Sequence, residues 1–205
     1  MSITRPYYRL WRPLKGYEGD LTNLIHNAWG NNEKKLSDDY LSDDRYITTL
    51  EMKSLVLAAH LIIRDLYEIF NYVEPCDLNN RVYSHRIYEL LLRTATEFEN
   101  NCKGILKANN YNRSTENLNI TDYFKIAAVA KLSDYAVVFD RWTTVHEFKP
   151  FAEWSNTEYN PLSWYRDYNC VKHNRFASVD KANLENLMNA VAAVVCIMHD
   201  QVGNK

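Results

Sequence analysis

The sequence predicts an all-α fold, a bundle of four to six helices behind an irregular N-terminal segment. Three observations carry that expectation. Five glycines and five prolines in 205 residues are too few for a chain built of strands and tight turns. Between Ser84 and Ala108, the residues Ile87, Leu91, Thr94, Phe98, Cys102 and Ile105 recur at steps of three and four, the spacing of one helical face. The run Ala190–Met198 (AVAAVVCIM) is apolar all round, which marks a helix central to a core.

Taken in order, residues 1–47 are polar and aromatic, with an acidic patch at Asp38, Asp39, Asp43 and Asp44, and predict an irregular appendage to a helical domain over 48–205. Thr48-Thr-Leu-Glu51 has the form of a capping box and opens an apolar segment reaching about Tyr72. Its Leu55, Leu57, Ala58, Leu61, Ile62, Ile63, Leu66 and Ile69 leave little room for a polar face. That composition predicts a helix buried on most sides, with His60 a hydrogen-bonded core histidine. Pro75–Asn80 is a break, and Ser84 starts the second helix, on which Glu99 and Lys103 form an i,i+4 pair.

Asn109–Asn119 is a polar loop, after which Thr121 or Asp122 caps a shorter helix through about Lys131. Tyr135–Phe139 (YAVVF) is β-prone, a short strand or an extended connector. Lys149–Pro161 reads as a loop, with Pro161 suited to the first turn of a helix over about 161–174. Asn174–Ser178 interrupts it, and Ser178 with Asp180 starts the last helix.

Composition narrows the functional classes. Hydrophobic residues make up 46% and charged residues 24%, enough for a substantial core. A net charge of −2 carries no global nucleic-acid signature, so any such contact must come from a local patch. Cys76, Cys102, Cys170 and Cys196 are far apart and form neither a zinc knuckle nor a disulfide framework. His26, His60, His85, His146 and His199 lie at no ligand spacing, so no metal and no cofactor are expected. The N-terminus MSITRPYYRLWRP has no apolar h-region and no run approaches spanning length; a cytoplasmic protein without membrane contact is expected.

The stretch with chemistry is Trp164–Arg175, WYRDYNCVKHNR. On a wheel of 100° per residue, Trp164, Tyr168 and Val171 share one side, while Arg166, Asn169, Cys170 and His173 share the other. Arg166 and His173 are seven residues apart and about 20° from eclipsed. Such a helix buries two aromatics and a valine and turns an arginine and a histidine outward. A solvated surface is the ordinary alternative for that outward pair.

The C-terminal half resembles HEPN domains (higher eukaryotes and prokaryotes nucleotide-binding), helical bundles marked by an Arg, four to six intervening residues and a His. Arg166-Asp167-(x)5-His173 matches at the longest spacing, with a polar residue after the Arg. Ser84-His-Arg…Glu97 before it, and Ala182-Asn-Leu…Asn189-Ala after it, look similar to uncharacterised or defence-associated bacterial members. The resemblance covers about residues 83–200.

It implies a metal-independent endoribonuclease acting as a homodimer, in which the motif helices of two subunits meet to form a composite site. A toxin or phage-defence role, with RNA as substrate and an antitoxin or other regulatory protein as partner, belongs to the same implication. His173 would then transfer protons, having a reference pKa near 6.5, and Arg166 would stabilise the phosphate with its planar donor fork. Asn169 would orient substrate or bond across the dimer. Lys172, Arg175 and Lys181 make the neighbourhood locally basic. Arg175, on the buried side of the wheel, better suits a cation stabilising the helix C-terminus.

Asp167 either tethers Arg166 or is solvated. Glu97 or Glu99 would bring a carboxylate near the pair, although Lys103 gives Glu99 an ordinary surface partner. No third group is evident to make Cys170 a nucleophile. Two alternatives stay open: a non-catalytic dimerisation or RNA-binding module, and a structural bundle in which the spacing is coincidence.

Overall fold

The computed structural model describes residues 49–155 and 158–202. The segment 1–47 and Thr48 of the expected capping box lie outside the described residues. The described chain is all-α: α1 Thr49–Ile69, α2 His85–Ala108, α3 Ile120–Ala130, α4 Ser163–His173, the single turn α5 Arg175–Ser178, and α6 Leu184–Val202. Five short 3-10 turns join them, and the described residues contain two isolated antiparallel bridges but no strand. No described helix is long and apolar enough to cross a membrane.

α2 and α6 form the central pair, and α1, α3 and α4 pack around them. The predicted stripe of α2 is the buried one: Ile87, Leu91, Thr94, Phe98, Cys102 and Ile105 are all inside. On α6 the apolar run Ala190–Val194 is buried throughout. Between them Gln201 Nε2 of α6 donates to Asn101 Oδ1 of α2 at 2.7 Å, whereas the buried Thr94 hydroxyl has no partner among the described residues.

Helix starts follow local chemistry, and several differ from the sequence expectation by two or more residues. Ser84 caps α2 as expected, accepting from the Ile87 N–H at 3.2 Å. α3 is capped by Asn119 rather than Thr121 or Asp122: Asn119 Oδ1 accepts from the Thr121 N–H, and Asp122 Oδ2 accepts from the Asn119 N–H, a reciprocal capping box. α4 starts at Ser163, beyond Pro161, because Glu153 reaches across from the preceding loop and accepts from the Ser163 N–H at 3.1 Å. α6 starts at Leu184 instead of near Ser178, with Asn183 Oδ1 accepting from the Asn186 N–H at 3.0 Å; residues 175–181 are spent on α5 and a 3-10 turn. Tyr135–Phe139 is the extended connector, tied by mutual Val137–Phe148 backbone bonds of 2.9 Å and by the Tyr135 hydroxyl, which donates to Asp200 of α6.

Two expectations are corrected. α1 is not buried on most sides: Ile62, Leu66 and Ile69 are, whereas Leu50 is 78% and Leu57 57% exposed, and His60 is exposed. The described bundle covers this helix most fully at positions spaced by four and three in its C-terminal half, with Ala59 and Ile63 partly buried beside them. Glu99 turns away from the Lys103 expectation and toward α4, where it serves the site.

Candidate functional site

The inward face of α4 is held by aromatics and one carboxylate. Trp164, Tyr165, Tyr168 and Val171 are buried, with Trp164 set edge-to-face on Phe98 of α2 at 5.5 Å between ring centres. The Trp164 indole N–H donates to the Pro150 carbonyl at 2.9 Å. Tyr165 and Tyr168 both donate their hydroxyls to Glu99 Oε1, at 2.8 and 3.2 Å. Burial, and then the Glu99 charge, push the Tyr165 hydroxyl far above its ordinary pKa, so it stays a donor. Rotation of α4 about its axis is thereby set, and the outward face follows.

That face carries the predicted group. Arg166, Asn169, Cys170 and His173 line one open cavity of about 490 Å³ with Asn174 and Ser178. Ile120 from the start of α3 and Tyr159, Pro161 and Leu162 from the loop before α4 complete it, with Tyr165. Among the described residues, the side chains of Asn169 and His173 have no hydrogen-bonding partner. Arg166 is 64% exposed, its Nε lying 3.8 Å from Asp167 Oδ1.

Asp167 is more tightly held from the other side. Its carboxylate accepts from Asn186 Nδ2 of α6 at 3.2 Å and lies 3.4 Å from Lys181 Nζ. Lys181 also sits 3.4 Å from Cys170 Sγ, and its pKa is raised, first by that contact and then by the Asp167 charge. Asp167 thus fastens the motif helix to α6 while touching Arg166 only loosely.

Three residues expected in the site lie elsewhere. Lys172 leans over the Tyr168 ring at 5.2 Å, and a hydrogen bond with that tyrosine raises its pKa against the opposing effect of burial. It faces the Glu99 side, away from the cavity. Arg175 is exposed, not buried: α4 ends at His173, so the wheel does not extend to it. Its guanidinium meets His85 Nδ1 and covers the Tyr88 ring at 4.6 Å, at the start of α2.

Glu97 shares its helix face with Arg93, which reaches Asp65 and the Leu61 carbonyl of α1. Burial raises the Glu97 carboxyl pKa, and Arg93 lowers it only in part. The carboxylate that serves α4 is Glu99, two residues on. Its role was hidden by a plausible local partner, Lys103. Ile120 and Tyr159 had no signal in the sequence, being about forty residues apart and drawn together only by packing.

A second cavity, about 860 Å³, lies between α1 and α2. Its arginines are already engaged: Arg93 with Asp65 at 2.6 Å, Arg64 with Asp65 at 2.9 Å, and Arg86 with Glu89 at 3.4 Å. The α4 cavity is distinguished by a carboxamide and an imidazole, Asn169 and His173, without a partner among the described residues. Among the described residues, no three His, Cys, Asp or Glu side chains converge as metal ligands would.

No protein-family model matches the chain, and neither does any curated protein or solved structure.

Proposed function

We propose that this chain is a metal-independent endoribonuclease of HEPN type, working as a homodimer with a composite Arg/His site. The observation that carries the reading is the shared cavity: Arg166 and His173 line it together, and His173 has no partner among the described residues. An imidazole left unpaired in the same cavity as a permanently charged guanidinium, on a face that the rest of the fold rotates outward, suits proton transfer near a phosphate.

In this mechanism one His173 takes the proton of an RNA 2′-OH as the 2′-oxygen attacks the adjacent phosphorus. The Arg166 guanidinium donates to the phosphorane oxygens as negative charge gathers there. The bond from phosphorus to the 5′-oxygen breaks, and the leaving oxygen takes a proton from the histidine of the second copy. The products are a 2′,3′-cyclic phosphate and a 5′-hydroxyl. The cavity is open on the single chain, so a second copy against the α4 face would supply both enclosure and the opposite proton-transfer group. A toxin or phage-defence setting, and control by an antitoxin or other regulatory protein, belong to the same reading.

The openness of the cavity favours a second reading, a non-catalytic dimerisation or RNA-binding module that uses its basic residues without an enclosed pocket, whereas the 3.8 Å contact between Arg166 Nε and Asp167 is what a purely structural bundle predicts. The deciding experiment is cleavage of labelled RNA in excess EDTA by wild type, Arg166→Ala and His173→Ala, with the oligomeric state of each measured. Cleavage by a wild-type dimer, leaving cyclic phosphate ends and lost in both variants, supports the nuclease. A folded dimer that binds RNA without cutting it supports the module, and a monomer indifferent to RNA overturns both.

A further inference from the structure

The cavity has two chemically different halves, and the nuclease reading uses only one. Arg166, Asn169 and His173 bring charge and hydrogen-bonding groups; Ile120, Tyr159, Pro161, Leu162 and Tyr165 bring apolar surface. The Tyr165 hydroxyl is committed to Glu99 at 2.8 Å and is not a free polar group for a ligand. Tyr159 is 36% exposed and braced edge-to-face on Phe124 at 5.6 Å, which in turn meets Trp154 at 5.5 Å. A braced, half-exposed aromatic beside an arginine and an unpartnered carboxamide is what a nucleotide requires: a surface for its base, a cation for its phosphate, and a donor and acceptor for its base edge. A volume of about 490 Å³ falls within the range of small-ligand sites, roughly 300–1,000 Å³.

We infer that the Ile120–Tyr159–Leu162 side of the cavity is a nucleobase subsite, in which the base flanking the scissile phosphate stacks on Tyr159 while Asn169 contacts its edge. The inference rests on the nuclease reading for the placement of the phosphate at Arg166 and His173. It adds a preference for substrate that is single-stranded at this nucleotide, because a paired base enters a side pocket only at the free-energy cost of unstacking and unpairing. It also assigns Tyr159, outside the Arg/His motif, to substrate selection.

The test is binding of adenosine, guanosine, cytidine and uridine 5′-monophosphates to the full-length protein, against ribose 5-phosphate and inorganic phosphate as baseless probes. At least one nucleotide is expected to bind at least fivefold more tightly than ribose 5-phosphate. Tyr159→Ala is expected to weaken that nucleotide by roughly five- to 150-fold, the loss of one base–aromatic stack, and to leave ribose 5-phosphate unchanged. Tyr159→Phe, which keeps the ring, should restore most of the preference, and this separates stacking from a merely structural role.

Equal binding of nucleotides and ribose 5-phosphate, or a base preference that survives Tyr159→Ala, overturns the subsite. Cleavage of single-stranded and fully paired RNA is read in parallel. RNA cleavage without any base preference removes the subsite and leaves the nuclease standing. A Tyr159-dependent base preference without cleavage of any RNA keeps the pocket as a site for free nucleotides and overturns its assignment to a nuclease.

Discussion

Tyr165 donates its hydroxyl to Glu99 Oε1 at 2.8 Å, and that bond joins the helix carrying Arg166 and His173 to the central helix α2. Tyr168, three residues on, bonds the same oxygen at 3.2 Å, so one carboxylate takes two hydroxyls from successive positions on one helical face. Arg166 lies between these tyrosines in sequence and on the opposite side of the helix. The orientation of the candidate site is thus set from behind, by a contact that no ligand touches.

Removing the Glu99 acceptor should therefore be costly. Glu99→Ala leaves the buried Tyr165 hydroxyl without a partner and takes one of two from Tyr168, which keeps Lys172, an expected loss of about 2–4 kcal/mol. For a domain of this size that corresponds to a fall in Tm of about 4–16 °C by thermal unfolding. Glu99→Gln keeps one carbonyl acceptor at the same place and should cost less than half as much. An unchanged Tm in Glu99→Ala would remove the clamp from the account.

The same substitution should not be mimicked at Glu97. That carboxylate faces Arg93 and the α1 side, and burial already disfavours its charge. Glu97→Gln is expected to lie within about 0.5 kcal/mol of wild type, or slightly above it. Chemical denaturation of the Glu97→Gln and Glu99→Ala proteins side by side reads the difference directly.

Acid stability should be governed in part by Asp122. Burial pushes its carboxyl up, but the Tyr111 hydroxyl at 2.7 Å, the Asn119 N–H at 2.9 Å and Arg113 at 2.9 Å together hold it below the ordinary carboxylate value. A depressed folded pKa contributes stability that is fully present above the unfolded value and is lost as pH falls through the folded one. Wild type should accordingly lose stability below about pH 4. Asp122→Asn should be less stable at neutral pH by about 1–2 kcal/mol and show a shallower decline in acid. Denaturation midpoints from pH 2 to 7 give both curves, and parallel curves would exclude Asp122 as the source.

The start of α6 offers a local test. Asn183 Oδ1 accepts from the Asn186 N–H, its Nδ2 donates to the Asp180 carbonyl, and its backbone bridges Tyr83 ahead of α2. Asn183→Ala is expected to cost about 0.5–2 kcal/mol, the ordinary range for a helix cap, and Asn183→Asp less. Hydrogen exchange should place the loss in the first turn of α6.

Arg166→Ala and His173→Ala should leave stability within about 0.5 kcal/mol of wild type, because both side chains are exposed. An activity loss in these variants then reports on chemistry and not on folding. Circular dichroism melts taken on the samples used for RNA cleavage check this, and a large fall in Tm would assign the pair to the fold.

The all-α class, the buried stripe of α2, the apolar centre of α6 and the two faces of α4 were all legible in the sequence, for one reason. A helix repeats every 3.6 residues whatever surrounds it, so the spacing of side chains states which of them share a face. Trp164, Tyr168 and Val171 therefore had to oppose Arg166, Asn169 and His173 once that stretch was helical. Only tertiary structure decided what each face meets and where each helix stops. Arg175 left the site because the chain turns out of the helix at Asn174, and Glu99 displaced Glu97 because α4 packs on that side of α2. Leu50 and Leu57 stayed exposed because the described bundle ends short of them, and Ile120 and Tyr159 came to line one cavity. Periodicity gives a direction around an axis; the neighbour found in that direction is chosen by packing among segments distant in the chain.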